Sequence, residues 1–356
     1  MNRDFKRKWI RAVAAVVAAL AATWATGAVW DTYKVMKMTG EMKTVCVGRI
    51  LIDLPKEAQV ELYGQWIEGF DIDAFAESEE AFTKRVAARE AEIRAKPDRL
   101  GGNKNMEAVS EVKTESGLAG KIFVHSRNVS EGTESDGLTI ERYHYEGVAL
   151  EAHVHGNGVS IDLTAKDYDP DLAANLPRLV SQLVPNPANR IPTDPGFCLD
   201  RAYVREPLTA KQGERITMAV GLPGHPDIGI NVDTIAGTRP DPRTLLERNA
   251  VSRARRPAAL NLLATELRAA PRTIAGFAGD ELVRQVIESN GVFVYGFEWE
   301  LNGTEDNVLV PDIRLAMVTG RGDGGPAPSS LSAPAAMALW DRIASSLRVR
   351  PAARPH

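Results

Sequence analysis

A chain of 356 residues, 44% hydrophobic and 25% charged, has material for two ordinary globular domains and no low-complexity bulk that would favour disorder. Residues 1–30 hold five basic residues and one acid, so the remainder carries 38 Lys and Arg against 46 Asp and Glu. That acidic body argues against a nucleic-acid partner, and two cysteines exclude both a disulfide-dense mini-fold and a four-cysteine zinc site.

Lys6-Arg-Lys8 precedes an uncharged run of nineteen residues, Ala12–Trp30, just long enough to cross a hydrocarbon core. The basic flank is expected to stay cytoplasmic, which exports the rest of the chain to the periplasm. Two readings of this segment stand: an uncleaved signal-anchor holding the protein to the inner membrane through residues 12–30, or a signal peptide removed near Ala25-Thr-Gly27 or Ala28. The length of the run and its bracketing by Trp9 and Trp30 favour the anchor. Residues 31–45 read as a linker.

The first module spans 46–188. Arg49-Ile-Leu-Ile-Asp-Leu54, stopped by Pro55, reads as a strand, and Gln59–Phe75 as another. Ser78 is a helix N-cap with Glu79 and Glu80 in the first turn, and the helix runs to about Lys96. Phe82, Val86, Ala87 and Ile93 make its apolar stripe. Strands are expected around Ala108–Thr114, Ala119–His125, Leu138–Tyr145, Val148–His155 and Val159–Ala165, with a hairpin turn at Glu146-Gly147. Asp171–Leu183 closes the module as a helix, with Pro177 inside it.

Prolines 185, 187, 192 and 195 stiffen a linker at 189–195, and a second module occupies 196–350. After the Cys198 strand come Arg215–Leu222 and Ile228–Ile235. A helix follows over Pro242–Arg255, with Asp241 as N-cap. Thr265–Ala269, Glu281–Ser289, Val292–Leu301 and Val308–Thr319 form an antiparallel set in which Asn290-Gly291 is the clearest hairpin signal. Gly320–Ser332 is a loop and Ala335–Leu347 a closing helix. Strands grouped apart from helices indicate an α+β fold: two related modules, each an antiparallel sheet with helices packed on it.

The modules echo one another. Cys46-Val-Gly-Arg-Ile-Leu-Ile-Asp-Leu-Pro55 and Cys198-Leu-Asp-Arg-Ala-Tyr-Val-Arg-Glu-Pro207 share Cys-x-x-Arg-x-x-[Ile/Val]-x-x-Pro at an offset of 152 residues. Arg178-Leu-Val-Ser-Gln-Leu183 recurs as Arg342-Ile-Ala-Ser-Ser-Leu347, and Phe82…Arg85 as Leu245…Arg248. In an oxidising compartment Cys46 and Cys198 are candidates for a disulfide tying the two opening strands together. The competing reading is two buried thiols at equivalent core positions.

Cys46-Val-Gly-Arg-Ile-Leu-Ile-Asp-Leu-Pro55 with Gly196-Phe-Cys-Leu-Asp200 also resembles the type VI secretion lipase immunity family, over about residues 44 to 350. The resemblance implies a two-domain periplasmic protein that binds a cognate secreted phospholipase effector across its substrate cleft and blocks it.

Read on their own, the residues offer little catalysis. No Gly-x-Ser-x-Gly elbow occurs, and Gly320-x-Gly322-x-x-Gly325 lacks the helix that would hold a pyrophosphate. His153 and His155 project from one strand face, and the alternation of Val148, Leu150, Ala152 and Val154 puts both in solvent rather than on a metal. No catalytic residue, metal or small-molecule cofactor is therefore expected. Pro55–Glu80 instead concentrates eight acids against Lys56 alone. Trp66, Glu68, Phe70, Asp71 and Asp73 within it are the candidate partner-binding residues, as aromatic anchors ringed by steering charge.

Overall fold

The computed structural model describes residues 31–135, 137–322 and 324–350. The run 12–30 lies outside them, and among the described residues no helix is long and apolar enough to cross a membrane. In the first half lie α1 (31–38), β1 (Met42–Val47), β2 (Ile50–Pro55), β3 (Gln59–Ile67) and β4 (Phe70–Ala76). They are followed by α2 (Glu79–Ala95), β5 (Met106–Lys113), β6 (Ala119–Ser135), β7 (Ile140–Gly156), β8 (Val159–Tyr168), α3 (Asn175–Gln182) and β9 (Leu183–Pro185). The second half begins with β10 (Phe197–Leu199), β11 (Ala202–Val204), β12 (Glu214–Leu222) and β13 (His225–Ala236). Then come α4 (Leu245–Arg255), α5 (Ala258–Asn261), β14 (Ala264–Ile274), β15 (Phe277–Ile287), β16 (Phe293–Leu301) and β17 (Asp312–Thr319). A short ribbon, β18 (Arg321–Gly322) with β19 (Gly325–Pro326), precedes α6 (Ala333–Ala344) and β20 (Arg348–Val349).

The expected pair of sheets is one. Twelve antiparallel strands run in the order β14-β15-β16-β17-β13-β12-β3-β4-β8-β7-β6-β5. Each half contributes six strands, and the halves join where β12 pairs antiparallel with β3. Reading outward from this seam, β3-β4-β8-β7-β6-β5 mirrors β12-β13-β17-β16-β15-β14. Helix α2 follows β4 as α4 follows β13, and α3 follows β8 as α6 comes after β17. The echoes in sequence therefore mark equivalent places. Phe82…Arg85 and Leu245…Arg248 open α2 and α4, while Arg178–Leu183 and Arg342–Leu347 span the ends of α3 and α6.

One hydrophobic core runs under both halves on the inner sheet face. Leu150, Ala152 and Val154 of β7 meet Leu176, Leu179 and Val180 of α3, and Phe297 and Trp299 of β16 meet Leu339, Trp340 and Ile343 of α6. Residues 31–45, expected as a linker, belong to this core in part: Val35 and Met38 are buried, and β1 forms a hairpin with β2. The short strands close the chain on itself. β9, ending the first half, pairs with β11 of the second, and β20, ending the second, pairs with β2 of the first. Between the two opening hairpins, Gly48 and Cys198 exchange backbone hydrogen bonds of 3.1 and 2.8 Å, and Cys46 is bonded to Cys198 with Cα atoms 5.9 Å apart.

Several local expectations shift. Gln59–Phe75 is two strands rather than one, because Glu68-Gly69, both at positive φ, makes the tight turn that the right-handed strand twist favours. Glu146-Gly147 is no turn. Gly147 sits in mid-strand on β7, where a side chain would fall 2.8 Å from the Asp167 backbone, so the missing Cβ serves close approach. Pro177 lies in the first turn of α3, where its missing N–H costs nothing. Thr244, not Asp241, caps α4, in a reciprocal capping box with Glu247.

Candidate functional site: the open outer face of the sheet

Cross-strand partners show which side chains share a face. Arg215 pairs with Trp66, Trp66 with Asp71, and Asp71 with Thr164, so all four project together. Asp73 pairs with Asp162, which receives Arg85 from α2 at 2.6 Å. On the other side Thr217 pairs with Asp233, Asp233 with Arg314 and Arg314 with Glu300, which receives Arg248 from α4. Both α2 and α4 therefore lie on this outer face, one on each flank. The central strands between them are open, alternating buried inner residues with exposed Arg215, Asn231 and Arg314.

Salt bridges, more than hydrophobic packing, fasten α2. Its apolar contact is a small cluster: Phe82, Val86 and Ile93 on the helix against Phe123, Met106 and Val109. Arg85 spans Glu77 and Asp162, Lys121 meets Glu90 at 2.8 Å, and Arg89 reaches the buried Glu151 at 2.5 Å. Glu151 also meets His125 at 3.1 Å and His153 at 2.9 Å. His153 is thus buried under α2 rather than solvated, and His155 stacks on Phe82. The alternation along β7 was sound, but α2 covers the face it left for solvent. Burial alone would lower the pKa of His153; hydrogen bonds and charge from Asp162 and Glu151 outweigh it and push it up to about 9. Burial likewise works against ionisation of Glu151, yet Arg89 and the two histidines hold its carboxyl well below the ordinary range. Among the described residues no group of His, Cys, Asp and Glu has the arrangement to hold a metal ion.

The five candidate binding residues divide. Trp66, Asp71 and Asp73 lie on the open face, Trp66 half-buried and the two aspartates exposed. The Trp66 ring lies across Gly213, where an added methyl would fall 2.7 Å from it. Glu68 is occupied: its carboxylate accepts the Gly213 N–H at 2.5 Å and its carbonyl accepts the Tyr168 hydroxyl. Phe70 points the other way, fully buried in the core with its ring 4.6 Å from that of Tyr168, so it offers no partner an anchor. Period-two alternation separates Phe70 and Ile72 from Asp71 and Asp73 once the turn at Glu68-Gly69 is recognised. The sequence reading missed the second module's share of the face: Arg215, Thr217, Asn231 and Arg314, with Tyr63 beside them on β3. The signal for Arg215 and Thr217 was the polar phase of Arg215–Leu222.

Together these side chains form a polar floor crossing the seam between the halves, walled by α2 and α4. Trp66, and Tyr63 at 46% exposure, supply aromatic surface within it. A floor of this kind suits a macromolecular partner, whose charged and aromatic groups it would meet over a wide area.

Three solved structures share this fold. The apo immunity protein TplEi of the type VI secretion system of Pseudomonas aeruginosa is 24% identical, with TM-score 0.69, over 88% of this chain and 98% of its own. The same protein with the "L" peptide is 23% identical, with TM-score 0.66, over 87% and 98%. The Tle4-Tli4 complex contains a chain 23% identical, with TM-score 0.70, over 89% and 99%. No curated protein matches this sequence. Residues 43–174 match the model of the Tle cognate immunity protein 4 N-terminal domain, and residues 190–352 that of its C-terminal domain. With both domains present in order over most of its length, the chain belongs to the Tle cognate immunity protein 4 family and is an immunity protein rather than an enzyme.

Proposed function

We propose that this chain binds a type VI secreted phospholipase effector and blocks it, with the open outer face between α2 and α4 as the contact surface. The observation that carries the siting is the row Arg215–Trp66–Asp71, exposed or half-buried, which crosses from one half of the chain to the other. Obstruction asks for shape, a few desolvated anchors and charge complementarity; it asks for no catalytic group. Trp66 and Tyr63 are the anchors, and Asp71 and Asp73 steer basic groups of the effector. Such an interface would bury about 1,200–2,000 Å² in total.

The protein acts in the periplasm, held to the inner membrane through residues 12–30. The basic flank and the nineteen-residue apolar run support this. A reporter active only in the periplasm, fused after Pro355, is expected to be active; a full-length but inactive fusion overturns the topology. For the inhibition itself, titrating the purified protein into its cognate phospholipase is expected to abolish hydrolysis near one equivalent. An effector that remains fully active with the protein bound defeats obstruction, and absence of binding defeats the assignment.

A further inference from the structure

A second surface lies at the other end of the strands, in the C-terminal half. A groove of about 950 Å³ runs between α5 and the β15–β16–β17 ends, floored by Val286, Val294 and Val318. Arg256, Arg284 and Arg321 line it; among the described residues Glu288 is the one acid in the lining, and none of the three arginine side chains has an ion pair. Leu260, Leu262 and Leu263 stand at its α5 rim, exposed by 50%, 82% and 41%. Exposed leucines beside a row of arginines are the pattern of a surface that enters the headgroup region of an anionic bilayer.

Its position agrees. The Ser332 hydroxyl donates to the carboxylate of Asp31, so the described chain begins beside Ser332. Asp227 accepts the backbone N–H groups of both Ser330 and Gly320, and Gly320 lines the groove. Asp31 and the groove thus share one end of the molecule.

We propose that this groove docks on the anionic phospholipid surface of the membrane, with Arg256, Arg284 and Arg321 meeting lipid phosphates and the three leucines entering the interface. Docking fixes the body against the bilayer, at the far end of the same sheet face and through residues other than the Arg215–Trp66–Asp71 row. The test uses the full chain reconstituted into nanodiscs of phosphatidylcholine, alone or with phosphatidylglycerol, carrying an environment-sensitive fluorophore on Leu262→Cys. A several-fold rise in emission is expected only with phosphatidylglycerol, falling as salt is raised. Arg256→Glu/Arg284→Glu/Arg321→Glu is expected to abolish the rise, and Arg321→Glu alone, in the exposed β18 ribbon, to reduce it without disturbing the fold. Equal emission in both lipids, or an undiminished rise in the variants, overturns the proposal. A rise that appears only on adding the phospholipase effector also overturns it and makes the groove a protein contact. Inhibition of the effector on a soluble substrate is expected to be unchanged in Arg321→Glu, which separates failure here from failure of the inhibitory reading.

Discussion

Glu151 shows how much of this protein depends on single ionisable side chains. It is buried, acidic and satisfied by one arginine and two histidines, so removing its charge takes from Arg89 of α2, and from His125 and His153 beneath it, their shared anionic partner. Breaking a buried pair from one side costs about 3–5 kcal/mol, and Glu151→Gln is expected to lower stability by that order in denaturant titration. An unchanged midpoint would mean that α2 is held by its small apolar contact after all. The cluster also sets a pH dependence. The folded-state pKa of His153, about 9, lies above its ordinary 6.5, so its contribution is fully present below pH 6.5 and is lost as pH rises through 9. Melting temperature should therefore fall across that alkaline window, and His153→Gln should flatten the fall. A profile equally steep in the variant would assign the effect to other groups.

At the scale of elements, the opening hairpins act as the clasp of the fold. The disulfide, the Gly48–Cys198 backbone pair and the crossed pairings of β9 and β20 all meet there. Arg350 is buried at this junction and donates to the carbonyls of Gly196 and Pro192 at 3.0 and 3.1 Å. Closing a loop of 152 residues restricts the unfolded chain, and Cys46→Ser/Cys198→Ser is expected to cost about 2–5 kcal/mol. Thermal melts of oxidised and reduced protein check this; coincident melts would show that the backbone contacts alone hold the clasp. This junction was half legible in sequence. The shared Cys-x-x-Arg spacing marked the two equivalent hairpins, and strand, helix and capping signals placed most elements, because those depend on local periodicity. Whether both strands lay in one sheet depended on the β3–β12 pairing, which links residues about 155 apart and leaves no mark in either strand. The same reason hid the burial of His153: the strand pattern showed its face, and only the packing of α2 showed what covers that face.

The whole molecule is a repeat that has become one object. Six strands from each half share a single sheet and one large core, so the two modules read from sequence are joined edge to edge in a continuous floor. Separating the halves would expose β3 or β12 as a nine-residue open edge and cut the core in two. Residues 31–188 and 189–356 expressed apart are expected to aggregate, and to recover a soluble complex only when made together; two monomeric, folded halves would refute the single-body description. This joining matters for binding, because a face pre-organised by one hydrogen-bonded sheet loses little freedom on association. If the floor is the effector surface, anchors on opposite sides of the seam act on one partner at once. Trp66→Ala, removing a central aromatic, is expected to cost about 2 kcal/mol of affinity, roughly 30-fold in Kd, with melting temperature little changed. Arg215→Glu, on the strand from the other half, is expected to weaken binding as well. Because the two side chains are cross-strand neighbours, the double variant should lose less than the sum of the single losses. Calorimetric titration against the cognate phospholipase reads all three. Wild-type affinity in both single variants would remove the contact from this face, and strict additivity would mean that the effector meets the two halves as separate sites.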